Sequence, residues 1–163
     1  MATIEKALQI AAKAHEGQKD KAGEPYILHP LRVMQKVQGE EAMIVAVLHD
    51  VIEDTPVTTD DLRQADFSDK VLAALLCVTH RKDEPYADYV VRCKGDEIAR
   101  QVKLADLEDN SRLDRTILRP QQFEADVARL RKYLLSYKFL TDQITEQQYR
   151  MLIQYRMLRE EGH

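Results

Sequence analysis

The stretch Ala42-Met43-Ile44-Val45-Ala46-Val47-Leu48-His49-Asp50-Val51-Ile52-Glu53-Asp54-Thr55 constrains this chain more than any other. Residues 42–48 carry no charge, so they read as a helix buried on all sides. The chain then brings together His49, Asp50, Glu53 and Asp54, all of which can ionise or bind a metal. On a helix, His49 and Glu53 share one face and Asp50 and Asp54 the next. A solvated helix end is the plain alternative. It is disfavoured because acids at a helix C-terminus oppose the macrodipole. A cation that offsets this cost is the stronger reading.

The rest of the chain is predicted to be helical, since apolar residues recur at three and four and few stretches suit strands. Thr3 caps a first helix through about His15. A polar loop, Glu16 to Pro25, follows. Pro30 opens a second helix that runs to about Val37 and is stopped by Gly39. The third runs from Glu40 to about Glu53, where Thr55-Pro56 breaks it. Thr58 or Thr59 opens a short helix through Ala65. Further helices are expected at Ser68–Thr79, Tyr86–Lys94, Glu97–Ser111 and Pro120–Leu140. A capping box at Thr145-Glu146-Gln147-Gln148 starts the last one. No repeat or linker interrupts the pattern, and a single all-α domain results.

The 163 residues suffice for one domain with a real core. No signal peptide and no apolar run of membrane-spanning length is visible, so a soluble, cytoplasmic protein without membrane contact is expected. Cys77 and Cys93 lie in different segments, which argues against a disulfide framework or zinc ribbon. The net charge of −4 speaks against general nucleic-acid binding. It leaves room for an anionic small molecule, because a metal or a local cluster of Lys and Arg can reverse the sign of a site.

Beyond the 47–55 stretch, two residues stand out. His29 sits between Tyr26-Ile27-Leu28 and Pro30, at a helix start. Asp106 is an acid in mid-helix with apolar neighbours, beside the inward stripe of Ile98, Val102 and Ala105. Lys103 and Asn110 lie one turn either side of it; a salt-bridged helix face would show the same pattern. His15 closes the first helix, where a histidine is favourable without any chemistry. His80 reads as solvated and His163 as a terminal residue. His29, His49, Asp50 and Asp106 together make two imidazoles and two carboxylates. That set suits a divalent first-row cation, Mn²⁺, Fe²⁺, Co²⁺ or Zn²⁺, better than Mg²⁺ or Ca²⁺.

The motifs Ala14-His15-x-Gly17-Gln18, Gly23-Glu24-Pro25-Tyr26-Ile27-x-His29-Pro30, Leu48-His49-Asp50-x-x-Glu53-Asp54-Thr55 and Val102-Lys103-Leu104-Ala105-Asp106, with Asn110 beyond, resemble the HD-domain phosphohydrolases. More narrowly, they are similar to the hydrolase domain of the RelA/SpoT alarmone enzymes and to the small alarmone hydrolases. The resemblance implies an HD-domain helical bundle, with residues 1–115 as the hydrolase core and 116–163 as C-terminal helices. Those helices would pack on the same domain or form a homodimer surface. It implies His29, His49, Asp50 and Asp106 as ligands, typically of one Mn²⁺. Glu53 and Asp54 are implied as the catalytic pair that handles the attacking water. Lys21, Lys103 and Asn110 are implied to contact the substrate. The implied reaction removes pyrophosphate from the 3′ position of a (p)ppGpp-type nucleotide, and the chain's length leaves no room for a synthetase domain. Three positions depart from the family. Asp20 stands where an Arg packs on the purine, Ala22 stands in place of Ser, and Leu113 follows Arg112 in place of Thr or Asp. These departures widen the expected substrates to (p)ppApp-type nucleotides. The alternatives are an HD-type nucleotidase that releases inorganic phosphate and a catalytically silent nucleotide-binding module.

Overall fold

The computed structural model describes residues 1–115 and 118–154. Expectations that fall on residues 116, 117 and 155–163, including His163, lie outside the described residues. The described chain is helical, and its one β-bridge, Lys19 with Pro25, is isolated. The elements are α1 (Ile4–Ala14), α2 (Leu28–Met34), α3 (Glu40–Leu48), α4 (Val51–Asp54), α5 (Thr59–Gln64), α6 (Asp69–Val78), α7 (Tyr86–Lys94) and α8 (Glu97–Asn110). After these come a 3₁₀ turn (Pro120–Gln122), α9 (Phe123–Leu140) and α10 (Glu146–Gln154). Among the described residues no helix is long and apolar enough to cross a membrane.

Four helix starts follow the capping chemistry of the sequence. Thr58 and Asp61 exchange side-chain and backbone hydrogen bonds in a capping box that opens α5. Ser68 accepts from the Val71 amide at α6, and Asp96 from the Ala99 amide at α8. Thr145 and Gln148 form the reciprocal pair that opens α10. Thr3 precedes α1 in extended geometry, but its side chain makes no cap bond to the backbone. α2 begins at Leu28, earlier than Pro30 suggested. Pro30 still falls in the first turn, where its missing N–H has no intrahelical partner to lose. Gly39 has φ +89°, a conformation that side chains strain against, and turns the chain into α3.

The expected helix from Glu40 to Glu53 is broken. α3 ends at Leu48, and α4 starts at Val51. The Ala46 carbonyl, which an unbroken helix would offer to the Asp50 amide, receives the His49 Nδ1–H at 2.7 Å. Asp50 sits at φ −97°, ψ −7°, in the sparsely populated bridge region. The kink lets adjacent residues aim at the same point, whereas on a regular helix they would diverge.

α3 is the central element. Ile44, Val45, Ala46, Val47 and Leu48 are all buried, against α1, α2, α6 and α8. A second cluster joins Tyr89, Val90 and Cys93 of α7 to Phe139 and Leu140 of α9 and Tyr149 of α10. α8 belongs to both: Ile98, Ala99, Val102 and Ala105 face the first, Leu107 the second. The C-terminal helices are held by polar contacts as well. Tyr149 is fully buried, stacks on Phe139 at 4.7 Å and shares a 2.9 Å hydrogen bond with Ser136. Asp126 is fully buried and accepts from Arg119 and Arg129. Burial lifts the Cys93 thiol to about 12, so it is an inert core group.

Two stability predictions follow from this second cluster. Tyr149→Phe should cost about 1 kcal/mol, the net worth of one hydrogen bond. Tyr149→Ala should cost about 3–5 kcal/mol, as for other large buried aromatics; urea denaturation distinguishes the two. Arg119, by side chain and backbone, holds the Asp126 carboxyl well below the usual range. A lowered carboxylate stabilises the fold above its unfolded pKa of about 3.9 and loses that contribution as pH falls. The stability gap between wild type and Asp126→Asn should therefore be constant near neutrality and shrink progressively below about pH 4.

Candidate metal centre

The kink between α3 and α4 brings His49 and Asp50 to the wall of a cavity of about 620 Å³. His29 on α2 and Asp106 on α8 meet them there. Ligand atoms of His29, His49 and Asp50 lie within 4.8 Å of one another. Asp106 Oδ1 is 3.2 Å from His29 Nε2 and 3.7 Å from His49 Nε2. Asp50 Oδ2 is 3.6 Å and 3.1 Å from the same two nitrogens. Donors bound at about 2.1 Å to a common ion stand roughly 3.0–3.4 Å apart, so the spacing suits one small cation.

The imidazoles are set up as ligands. The Ala46 carbonyl can only accept, so His49 carries its proton on Nδ1 and turns its Nε2 lone pair into the cluster. That Nε2 is buried and has no hydrogen-bond partner, so its lone pair suits a cation. His29 Nδ1 donates to Asp109 Oδ2 at 2.7 Å, which fixes the same tautomer by a carboxylate–histidine pair. The four residues fit a divalent ion of mixed N/O preference.

The carboxylates are equally constrained. Asp106 is 6% exposed. Lys103 Nζ donates to its Oδ2 at 2.7 Å and Asn110 Nδ2 to its Oδ1 at 2.6 Å. Tyr26 donates its hydroxyl to Asp50 Oδ2 at 2.6 Å and lies 3.4 Å from Asp54 Oδ2. Burial disfavours charge on both imidazoles, but Asp50 and Asp106 at His49, and Asp106 and Asp109 at His29, override it and hold both above their ordinary value. The same field favours a dication.

Glu53 and Asp54 line the cavity beside this cluster. Burial, reinforced by the Asp50 charge, pushes both carboxyls above their usual range. Glu53 is oriented by the His80 amide, 3.0 Å from its Oε2. His80 is not the solvated residue expected. Its ring stacks on Tyr89 at 4.8 Å, and its Nε2 reaches the Glu84 carbonyl at 2.8 Å.

Another part of the lining is basic and aromatic. Lys21 from the loop, Arg129 and Lys132 from α9, and Tyr86 and Tyr133 face the cavity. Lys132 Nζ lies 4.2 Å over the Tyr86 ring. Burial and then neighbouring cations hold both Lys21 and Lys132 below their ordinary value, the condition of positive charges awaiting an anion. Asp20 and Ala22 also line the cavity, whereas Leu113 is 94% exposed and outside it.

All nine residues singled out from the sequence line the cavity: His29, His49, Asp50, Asp106, Glu53, Asp54, Lys21, Lys103 and Asn110. Lys103 and Asn110 direct their nitrogens at Asp106. The reading of the sequence missed Tyr26 as a partner of Asp50 and missed Asp109 altogether. It also missed Arg129, Lys132 and Tyr133 on α9. Tyr26 lay within a quoted motif; the α9 residues carried no signal, since their spacing is that of any amphipathic helix.

Residues 7–81 match the HD-domain family. A GTP pyrophosphokinase of Streptomyces coelicolor is 36% identical over 132 residues, 73% of this chain and 16% of that protein. A guanosine-3′,5′-bis(diphosphate) 3′-pyrophosphohydrolase of Aquifex aeolicus is 33% identical over 119 residues, 66% of this chain and 17% of that protein. The chain thus spans about one sixth of the length of these curated relatives. The solved structure of a metazoan ortholog of SpoT that hydrolyzes ppGpp superposes with a TM-score of 0.69 over 99% of this chain and 97% of that one, at 23% identity, and shares the fold. Residues 7–81 thus form an HD domain, and the chain is similar in sequence to these two curated enzymes.

Proposed function

We propose that this chain is a metal-dependent hydrolase that releases pyrophosphate from the 3′ position of purine alarmones, of the (p)ppGpp or (p)ppApp type. One observation carries the reading: the four candidate metal ligands, the Glu53–Asp54 pair and the cations Lys21, Arg129 and Lys132 all line one cavity. The two relatives described above bear names for opposite reactions, a kinase and a hydrolase. The ligand cluster and acid pair support hydrolysis for the segment they share with this chain. Residues 1–115 form the proposed catalytic core, and α9 completes the cavity from the C-terminal side.

His29, His49, Asp50 and Asp106 would hold the ion, for which Mn²⁺ is the first candidate. When bound, it supplies Lewis acidity and lowers the pKa of water. Lys103 and Asn110 keep Asp106 turned toward the site. Tyr26 does the same for Asp50. Glu53, steered by the His80 amide, and Asp54 stand where a water proton can be taken up, and their raised pKa values suit that exchange. Lys21, Arg129 and Lys132 neutralise the phosphates, and the Tyr86 and Tyr133 rings offer apolar faces to the nucleoside. Asp20 and Ala22, the two departures that reach the cavity, put an acceptor and a methyl group where the family has a cation and a hydroxyl. This is why adenosine substrates are included.

Chelation should abolish turnover, and added Mn²⁺ should restore it. Asp106→Ala should lose both Mn²⁺ binding and activity while the helical circular dichroism is retained. Glu53→Gln and Asp54→Asn should keep Mn²⁺ binding but lower kcat by about 10²–10⁴-fold, the range for a lost general acid or base. Chromatography of the products decides the reaction class. Pyrophosphate supports the proposal. Inorganic phosphate from a nucleoside monophosphate would replace it with a nucleotidase, and nucleotide binding without turnover would replace it with a silent module.

A further inference from the structure

Asp109 is fully buried, yet no step above uses it. Its Oδ2 accepts from His29 Nδ1 at 2.7 Å, and Arg32 reaches its two oxygens at 2.8 and 3.2 Å. Arg115 Nη1 makes a further short contact with Oδ2. A buried carboxylate needs such partners, because an unpaired one would cost several kcal/mol. Arg32 already supplies a two-pronged pair, so Arg115 is more than Asp109 requires.

The second nitrogen of Arg115 explains its placement. Nη2 lies 3.2 Å from Asp20 Oδ2. Asp20 Oδ1 in turn accepts from the Ala22 amide at 2.9 Å and the Glu24 amide at 3.0 Å. These bonds close the tight turn in which Gly23 has φ +86°. The turn carries Lys21 and Ala22 into the cavity. Asp20 thus uses one oxygen to shape the loop and the other to anchor it. A continuous chain of charge-assisted contacts runs from His29 through Asp109 and Arg115 to Asp20 and the loop. Arg115 joins two parts of the molecule 95 residues apart in sequence with Asp20, and its side chain is only 16% exposed. A guanidinium can grip two carboxylates at once in a fixed geometry, which a lysine cannot.

We infer that Arg115 is a positioning residue that couples the orientation of His29 to the shape of the Lys19–Pro25 loop, so that occupancy of the metal site orders the loop and an ordered loop strengthens the metal site. The coupling rests on the proposed metal site but not on the proposed substrate. It is reciprocal, as any linkage between two binding surfaces must be.

The test uses the metal-free full chain with MnCl₂ alone, without nucleotide. Titration calorimetry should show Mn²⁺ affinity reduced roughly 3–10-fold in both Arg115→Met and Asp20→Asn, at or below the range for loss of a direct partner of a ligand. The double variant should be no worse than the weaker single, since both break one chain. Hydrogen exchange gives the second readout. Mn²⁺ should slow exchange at the Ala22 and Glu24 amides in the wild type and fail to do so in Arg115→Met. A merely local staple would slow or speed these amides equally with and without metal. Asp20→Asn keeps the acceptor that shapes the turn, so it carries the test if Arg115→Met does not fold. Wild-type Mn²⁺ affinity in Asp20→Asn, together with unchanged metal-induced protection in Arg115→Met, would overturn the inference. A wild-type chain that binds no Mn²⁺ would overturn it along with the metal site. Intact Mn²⁺ binding and coupling without alarmone turnover would instead refute only the proposed reaction.

Discussion

The structure depends on one concentration of buried negative charge, Asp106 with Asp50 beside it. Asp106 sits inside α8 where water cannot solvate it, and such a group is tolerated only when positive charge and hydrogen bonds surround it. Lys103 and Asn110 supply part of that environment from the same helix. His29 and His49 supply the rest from α2 and the end of α3. Protons on the imidazoles can balance the cluster, and so can a dication. A site that must attract positive charge in order to exist is a suitable cage for a metal.

The fold serves this cluster through two helices. α3 is apolar from Ala42 to Leu48 and anchors its last turn in the first core, so the kink at His49 and Asp50 is held by its surroundings. α8 runs between the two cores and delivers Lys103, Asp106, Asp109 and Asn110 along one length. One turn separates Asp106, which faces the proposed ion, from Asp109 and Asn110, which brace its ligands. α9 adds Arg129 and Lys132 to the lining of the cavity that the acidic cluster also lines. A single cavity can therefore hold a cation and a polyanion together, which is what phosphoryl chemistry requires.

Much of this was legible in the residues. An uncharged run ending in His49-Asp50 favours a buried helix with something to bind at its end over a solvated one, and Asp106, which alone could be a salt-bridged surface acid, gains weight beside His29, His49 and Asp50. The helices were legible because their caps are local: Thr58 with Asp61, Ser68, Asp96, and Thr145 with Gln148 work within one turn. The break after Leu48 was not legible. It depends on whether the Ala46 carbonyl binds an amide or the His49 ring, and the groups that meet the kinked residues, Tyr26 at Asp50 and Asp106 near His49, come from distant parts of the chain. Asp109 was hidden for a related reason. In sequence it is one more acid near a helix end, and only the approach of α2 and Arg115 makes it the partner of His29.

By itself, then, the sequence determined the helical class, most helix boundaries and, with the family resemblance, nine of the residues gathered at the cavity. Class and boundaries follow from periodicity and capping, which act over a few neighbouring positions. The tertiary structure alone decided which distant groups brace His29 and Asp50, and which basic groups of α9 share the cavity with them. Those choices depend on contacts between residues 24 to 95 positions apart, such as Tyr26 with Asp50, His29 with Asp109, and Asp20 with Arg115. The distances at which a proton or a metal is shared are matters of tenths of an ångström, and only packing sets them.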